Sequence, residues 1–287
     1  MKTSTADNPS IVYYAPTGDA AGRKPGADQR RAAMQAMITE RGSVRIDDLV
    51  TAFDVSAMTI HRDLDALAKD ERIERFRGGA RAVSSPFLEL DVAVRKATNV
   101  EVKEQLTTVA AEMIAPGDVV ALDDSTTVGA IAPHLVSRTP AAVITHSLSL
   151  INTLVSAQVE FPIIGLGGTF QKETMSFLGG ATVDQMKGLS ADISIVSTTA
   201  LRAGALFHPD ESAARTKTGC VHLGTRRVLV ADSSKCGASG LHQVVPLSAF
   251  TDIIIDSHVT DEYKEQLVAS GAAIHIVETP APHLPPR

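Results

Sequence analysis

The sequence predicts an α/β protein in two parts, an N-terminal winged helix-turn-helix followed by an α/β Rossmann-like domain. Three observations carry this. Residues 27–83 read as three short helices and a basic hairpin. From about residue 99, short apolar runs alternate with amphipathic or Ala-rich stretches, the pattern of a mainly parallel sheet covered on both faces. Charge is also unevenly divided: residues 1–83 hold 13 of the 27 Lys+Arg and 12 of the 33 Asp+Glu, a net of +1, and the remainder carries −7. A length of 287 residues itself favours two domains.

Residues 1–26 have no apolar period and are expected to form a flexible arm. A first helix over about Asp28–Glu40 turns Ala33 and Met37 inward, with Met34 and Ile38, and Gly42 closes it. In a second helix from about Asp47, Ile46, Leu49, Val50 and Phe53 form one buried stripe. Ser56 is placed to cap a third, whose Ile60, Leu64 and Leu67 face the core. Arg72–Arg77 alternates polar and apolar before Gly78-Gly79 forces a turn, and Ala80–Val83 returns as the second strand of a wing. Residues 84–98 read as a linker or bridging helix. The second domain spans 99–278, with strands at Val119–Leu122, Ala142–Thr145, Phe161–Ile164, Ile193–Val196, Arg227–Ala231, Asp252–Asp256 and Ala273–Val277. Helical stretches lie at 100–114, 128–136, 148–157 and 261–270. The Pro-rich tail, 279–287, reads as disordered.

Composition narrows the class. With 44% hydrophobic and 21% charged residues, no apolar run approaches the ~20 residues that span a bilayer. The N-terminus lacks a long apolar core behind a basic start, so the expected location is cytoplasmic. Cys220 and Cys236 are too few for a disulfide framework.

A recognition helix keeps one apolar face for its own domain and presents short polar and cationic groups to the major groove. Ser56, Met58, Thr59, His61 and Arg62 meet that description on the third helix. Arg72, Arg75, Arg77 and Arg81 in the hairpin suit phosphate contacts or a minor-groove probe. Asp70, Glu71 and Glu74 beside them fit a merely solvated face equally well.

In the second domain, Asp123-Asp124-Ser125-Thr126-Thr127 follows a strand and opens a helix, an arrangement whose amides and hydroxyls favour an anion. Ser233-Ser234-Lys235 follows another strand and supplies a cation. In an open α/β sheet both loops lie at carboxyl ends of strands, where ligands bind.

The stretch Val55-Ser56-Ala57-Met58-Thr59-Ile60-His61-Arg62-Asp63-Leu64-x2-Leu67, joined to Arg75-x-Arg77-Gly78-Gly79-Ala80, resembles the DeoR family of bacterial sugar-operon repressors, whose pattern is VSxxTIRRDLxxL … RxHGGA. His61 stands where the family usually carries Arg. The resemblance implies that Arg62 reaches the DNA backbone or a base, while Asp63 pairs within its domain. It extends over about residues 27–278. Leu122–Thr127 is similar to the family's LDSGTT, Thr145-His146-Ser147 to its TNS, and Ala231–Gly237 to its ADSSKFG; Gly167-Gly168 and Gly179 fit its glycine turns. The departures are Ser125 for Gly, His146 for Asn and Cys236 for Phe. The resemblance implies a sensor resembling ribose-5-phosphate isomerase, with Asp123–Thr127, His146, Ser147, Gly167, Gly168 and Lys235 around a phosphorylated sugar or sugar-like effector. It implies a homo-oligomeric repressor that binds double-stranded operator DNA and is released by that effector, with no cofactor.

The alternative is an isomerase-like enzyme with a vestigial DNA module. Such chemistry needs a positioned carboxylate base. The isomerases carry Asp-Gly-Ala-Asp where this chain has Ser197-Thr198-Thr199-Ala200, and their glutamate aligns near Lys217, with Asp210 and Glu211 nearby. Cys220-x-His222 lacks the second pair a zinc site wants. His242, His258 and His275 read as loop or surface residues. There is no P-loop or Gly-x-Ser-x-Gly turn. The expected protein is a regulator, neither an enzyme nor a metal protein.

Overall fold

The computed structural model describes residues 3–4, 11–14, 27–41, 43–69, 73–82 and 92–282. The chain begins with β1 (Thr3–Ser4) and β2 (Ile11–Tyr14), then α1 (Ala27–Arg41), β3 (Ser43–Arg45), α2 (Ile46–Phe53), α3 (Ala57–Lys69), β4 (Ile73–Phe76), β5 (Gly79–Ala82) and α4 (Val92–Ala97). It divides into two compact units. One runs from Gly18 to Pro86 and from Leu90 to Val100; the other holds Met1–Thr17 and Glu101–Pro282.

The smaller unit is a winged helix-turn-helix. Met34, Ile38, Leu49, Ile60, Leu64, Leu67, Ile73 and Ala80 form its core. The inward face of α1 is centred on Met34 and Ile38, which are fully buried, while Ala33 and Met37 are half-buried. The turn after α2 passes through Asp54 at φ 49°, a left-handed conformation that Asp tolerates. The wing is a three-stranded sheet in the order β3-β5-β4. β3, too short to show a period in sequence, pairs Val44 with Ala80. Gly78 turns at φ 90°, and a Cβ at Gly79 would stand 2.4 Å from the Val44 carbonyl oxygen, so the second position excludes any side chain. Within the expected linker, α4 packs on α1. Gly42 and residues 83–91 lie outside the described residues.

The larger unit continues with α5 (Val100–Glu112), β6 (Val119–Leu122), α6 (Thr126–Gly129), α7 (Ala132–Arg138), β7 (Ala142–Thr145), α8 (Leu148–Ser156) and β8 (Ile163–Gly165). Then come β9 (Thr169–Gln171), β10 (Ser176–Leu178), α9 (Gly180–Met186), β11 (Ala191–Val196), β12 (Ala200–Arg202), β13 (Ala205–His208) and α10 (Glu211–Leu223). The chain ends with β14 (Gly224–Ala231), β15 (His242–Pro246), β16 (Asp252–Asp256), α11 (Asp261–Ala269) and β17 (Ala273–Val277). The main sheet runs β1-β2-β17-β16-β14-β11-β6-β7-β8, parallel from β2 to β8. Two apolar clusters are built on it, one including Ala121, Ile144, Val196, Leu229 and Ile253, the other Val120, Leu122, Val143, Ile193 and Ile254. Neighbouring residues of β6, such as Val120 and Ala121, belong to different clusters, as in a strand buried on both faces.

Several elements differ from the sequence expectation. Ile11–Tyr14, placed in the flexible arm, pairs parallel with β17 in register Ile274↔Ile11 to Val277↔Tyr14. Its β-branched and aromatic run suits a strand and occupies the edge of β17 that would otherwise be unpaired. The expected helix 128–136 is two helices, α6 and α7, with a proline in the first turn of α7. The strand expected at Phe161–Ile164 lies at Ile163–Gly165. Thr279–Pro282 of the expected tail are described, with His258 Nε2 donating to the Thr279 carbonyl at 2.9 Å.

Chain order marks one crevice at the sheet's carboxyl edge. From β6 the chain moves outward to β7 and β8, then returns to β11 on the other side of β6. The direction of winding therefore reverses between β6 and β11, and the crevice beyond their carboxyl ends is the favoured binding position of an open α/β sheet.

Candidate functional site

On α3, Ser56 is the cap expected from sequence: the Thr59 amide donates to Ser56 Oγ at 3.3 Å, and the two hydroxyls lie 3.0 Å apart. Met58 is 81% exposed; His61 and Arg62 are exposed and Thr59 is half-buried. Asp63 turns inward, where Arg30 Nε donates to it at 2.8 Å and Arg31 lies at 3.8 Å. Apolar positions at helical spacing hold the other face in the core, so His61 and Arg62 are left outward while Asp63 is not.

The wing arginines differ from one another. Arg75 pairs with Asp65, and its Nη2 lies 2.8 Å from His61 Nδ1, so it braces β4 on α3. Arg81 Nε donates to Glu74 at 2.6 Å across the wing. Arg77 is exposed at the turn, and no described residue forms an ion pair with Arg77 or Arg62. Arg72 lies outside the described residues.

In the larger unit the strand ends form a buried polar cluster. Asp123, just beyond β6, is fully buried, and its carboxylate accepts from the Ser125 amide (3.0 Å), the Ser197 amide beyond β11 (2.9 Å) and Lys217 Nζ from α10. Lys217 also lies 3.8 Å from Asp124. Burial works against the Lys217 ammonium, yet Asp123 and Asp124 together hold its pKa above the ordinary value. Asp124 accepts from Ser176 Oγ of β10 at 2.7 Å and faces His146 Nε2 at 3.4 Å. The Phe177 amide donates to the His146 carbonyl at 2.9 Å, so the β9–β10 hairpin is tied to both strand ends.

A second group lies beyond β14. Lys103 of α5 donates to Thr126 Oγ1 at 3.1 Å, and Lys235 Nζ lies 3.9 Å from Asp232. Burial opposes ionisation of Asp232, but Lys235, hydrogen bonds from Ser234 and the charge of Lys103 hold its pKa below the usual carboxylate range. Lys103 therefore links the two loops expected from sequence.

These placements revise several expectations. α6 is one turn long, so it contributes little of the dipole expected at its start, which grows from many aligned peptides. Ser125 already donates its amide to Asp123 and caps α6 through its hydroxyl, and Ser147 Oγ caps α8. Thr127 is buried beside them. Through its backbone Gly167 exchanges hydrogen bonds with Gln185 of α9, and a Cβ on Gly168 would stand 2.1 Å from Thr182 Oγ1, so the packing of this loop on α9 requires glycine at 168. The cluster holds Asp123 and Asp124 although the Ser197–Ala200 turn has no carboxylate. Glu211 is exposed and lies 3.9 Å from Arg215, and Asp210 caps α10. His275, expected at the surface, is buried in β17 with Nε2 3.1 Å from Asp252. Burial raises the Cys220 thiol pKa and pushes that of Cys236 up to about 12.

Lys103, Lys217, Ser176 and Ser197 were not singled out by sequence as ligand-site residues. Each belongs to an element remote in sequence from the loop it meets, and a helical lysine ordinarily reads as solvent-facing.

Family comparisons agree with this division. The DeoR-like helix-turn-helix domain matches residues 30–86, and the DeoR C terminal sensor domain matches residues 98–257. A putative aga operon transcriptional repressor of Escherichia coli O157:H7 is 29% identical, over 90% of this chain and 98% of that protein. The glycerol-3-phosphate regulon repressor of Escherichia coli K12 is 30% identical, over 80% and 90%. The lactose phosphotransferase system repressor of Streptococcus mutans is 27% identical, over 83% and 95%. Among solved structures, ribose 5 phosphate isomerase A of Neisseria gonorrhoeae aligns at 14% identity with a TM-score of 0.36, over 49% of this chain and 55% of that one. A likeness of that size carries no argument about activity. A helix-turn-helix and a sensor domain in one chain make this a DNA-binding transcriptional regulator. The chain belongs to the DeoR family.

Proposed function

We propose that this regulator represses a carbohydrate catabolic operon in the cytoplasm, binding operator DNA as a homo-oligomer and leaving it when a phosphorylated sugar or sugar-like effector binds. The observation that carries the DNA face is the outward His61 and Arg62 beside the inward, paired Asp63. Thr59, His61 and Arg62 would meet base edges or phosphates, Met58 would make apolar contact, and Arg77 at the wing tip would meet the backbone. Arg75 and Arg81 act by holding the wing, with Arg72 beside them in sequence. The names of the aga, glycerol-3-phosphate and lactose relatives support a sugar or polyol phosphate as effector. Lys103 and Lys235, with the hydroxyl of Thr126, would receive its phosphate through charge-assisted hydrogen bonds.

The site is proposed to bind without turnover. What supports this is that Asp123 is engaged by two amides and a lysine and Asp124 by Ser176, and that Glu211 is exposed.

Lys235→Ala tests the reading. The variant should bind operator DNA normally without effector but need at least tenfold more of the sugar phosphate to release it, measured by mobility shift. Release cannot exceed the effector's preference for the low-affinity conformation. Release at the wild-type concentration, or equal binding of the free sugar and its phosphate, would remove the phosphate site.

A further inference from the structure

Beyond the two strands that flank β6, two buried side-chain atoms have no hydrogen-bond partner among the described residues: His146 Nδ1 beyond β7 and Ser197 Oγ beyond β11. Both side chains are almost wholly buried, each residue being 1% exposed. They flank β6, one on each side of the winding reversal. The rest of each residue is engaged, since His146 Nε2 faces Asp124 and the Ser197 amide donates to Asp123. Buried polar atoms are ordinarily paired, and an orphan at a binding crevice calls for an occupant.

We propose that His146 and Ser197 read the uncharged, hydroxyl-bearing part of the effector and so set which sugar or polyol this regulator senses. The inference rests on the phosphate reading above and extends it. Nε2 faces Asp124, and in the tautomer with its proton on that side Nδ1 is left to accept from a ligand hydroxyl. Ser197 Oγ can donate or accept. A second anion is disfavoured here, because the two carboxylates of Asp123 and Asp124 stand together beside Lys217 and like charges repel. Lys235 beyond β14 and Lys103 on α5 take the charged end; the imidazole and hydroxyl take the neutral end. His146 stands where the family pattern has Asn, so this position also separates this chain's selectivity from that pattern.

The test is calorimetric titration of the full chain with ribose 5-phosphate, glucose 6-phosphate, glycerol 3-phosphate and inorganic phosphate. Ser197→Ala and His146→Phe should each weaken the tightest organic phosphate at least fivefold and leave inorganic phosphate within twofold. His146→Asn should reorder the organic phosphates. The ligand-free melting midpoint of Ser197→Ala should stay the same or rise, because removing an unpaired buried hydroxyl loses no hydrogen bond. A lowered midpoint with unchanged organic-phosphate affinity would assign the hydroxyl to structure and overturn the proposal. Equal weakening of inorganic phosphate would overturn the separation of ends. Failure of every organic phosphate to bind the wild type would overturn the phosphate reading and this inference together, an outcome distinct from wild-type binding that the variants leave unchanged.

Discussion

Lys217→Met breaks the most buried ion pair at the strand ends. The lysine side chain is 5% exposed and that of Asp123 is 0%. Removing one partner of such a pair costs about 3–5 kcal/mol, because the other charge stays buried and uncompensated. Asp123 keeps its bonds from the Ser125 and Ser197 amides, and amides donated to a carboxylate retain part of its stabilisation, so the lower end, about 3 kcal/mol, is expected. For a domain of this size about 1 kcal/mol moves the melting midpoint by about 2–4 °C, so a fall of about 6–12 °C should appear by scanning calorimetry. Adding Asp123→Asn should recover part of the loss, because the orphaned charge disappears with its partner. The sign with pH follows from the raised Lys217 pKa. Its stabilisation is fully present below the unfolded lysine value of about 10.4 and is lost as pH rises through the folded value. A midpoint change under about 2 °C in Lys217→Met, or a double variant less stable than the single one, would refute the reasoning.

Three further outcomes are expected. Arg62→Ala should cost about 1–3 kcal/mol of operator affinity if its contact is base-specific, whereas Arg77→Ala should weaken binding evenly across sequences and reduce the salt slope by about 1; mobility shifts at several salt concentrations separate the two. Gly79→Ala should lower stability by more than about 1 kcal/mol in urea unfolding, since the new Cβ meets the Val44 carbonyl at 2.4 Å. For Asp252, burial opposes ionisation, but hydrogen bonds from Arg226, His275 and Thr251 hold its pKa well below the usual range. That stabilisation is present above the unfolded value of about 3.9 and is lost as pH falls through the folded one. Asp252→Asn should therefore flatten the acid limb of a stability–pH curve. Asp256, raised chiefly by burial, works in the opposite sense and cannot supply that limb.

The sequence by itself determined what is local. Ile60, Leu64 and Leu67 repeat at the helical period and so settle which face of α3 is core. Gly78-Gly79 places the wing turn, and the apolar runs that became β6, β7, β16 and β17 needed no tertiary information. Thr126 and Lys235, of the proposed phosphate site, could be picked out because each lies in a loop that follows a strand and parallel order sends strand ends to one edge. Tertiary structure decided what meets there. Whether Ser125 receives a ligand or caps a one-turn helix depends on where Asp123 points, and Asp123 points to an amide and a lysine far along the chain. Lys103 and Lys217 lie on helices, where a charged residue ordinarily faces water; only packing against the strand ends buries them beside carboxylates. The hairpin residue Ser176 reaches Asp124 in the same way, and Ile11–Tyr14 becomes a strand only because β17 offers it an edge. Periodicity is set by bonds within a few residues, whereas an ion pair or a strand edge depends on groups that meet only after the chain has folded.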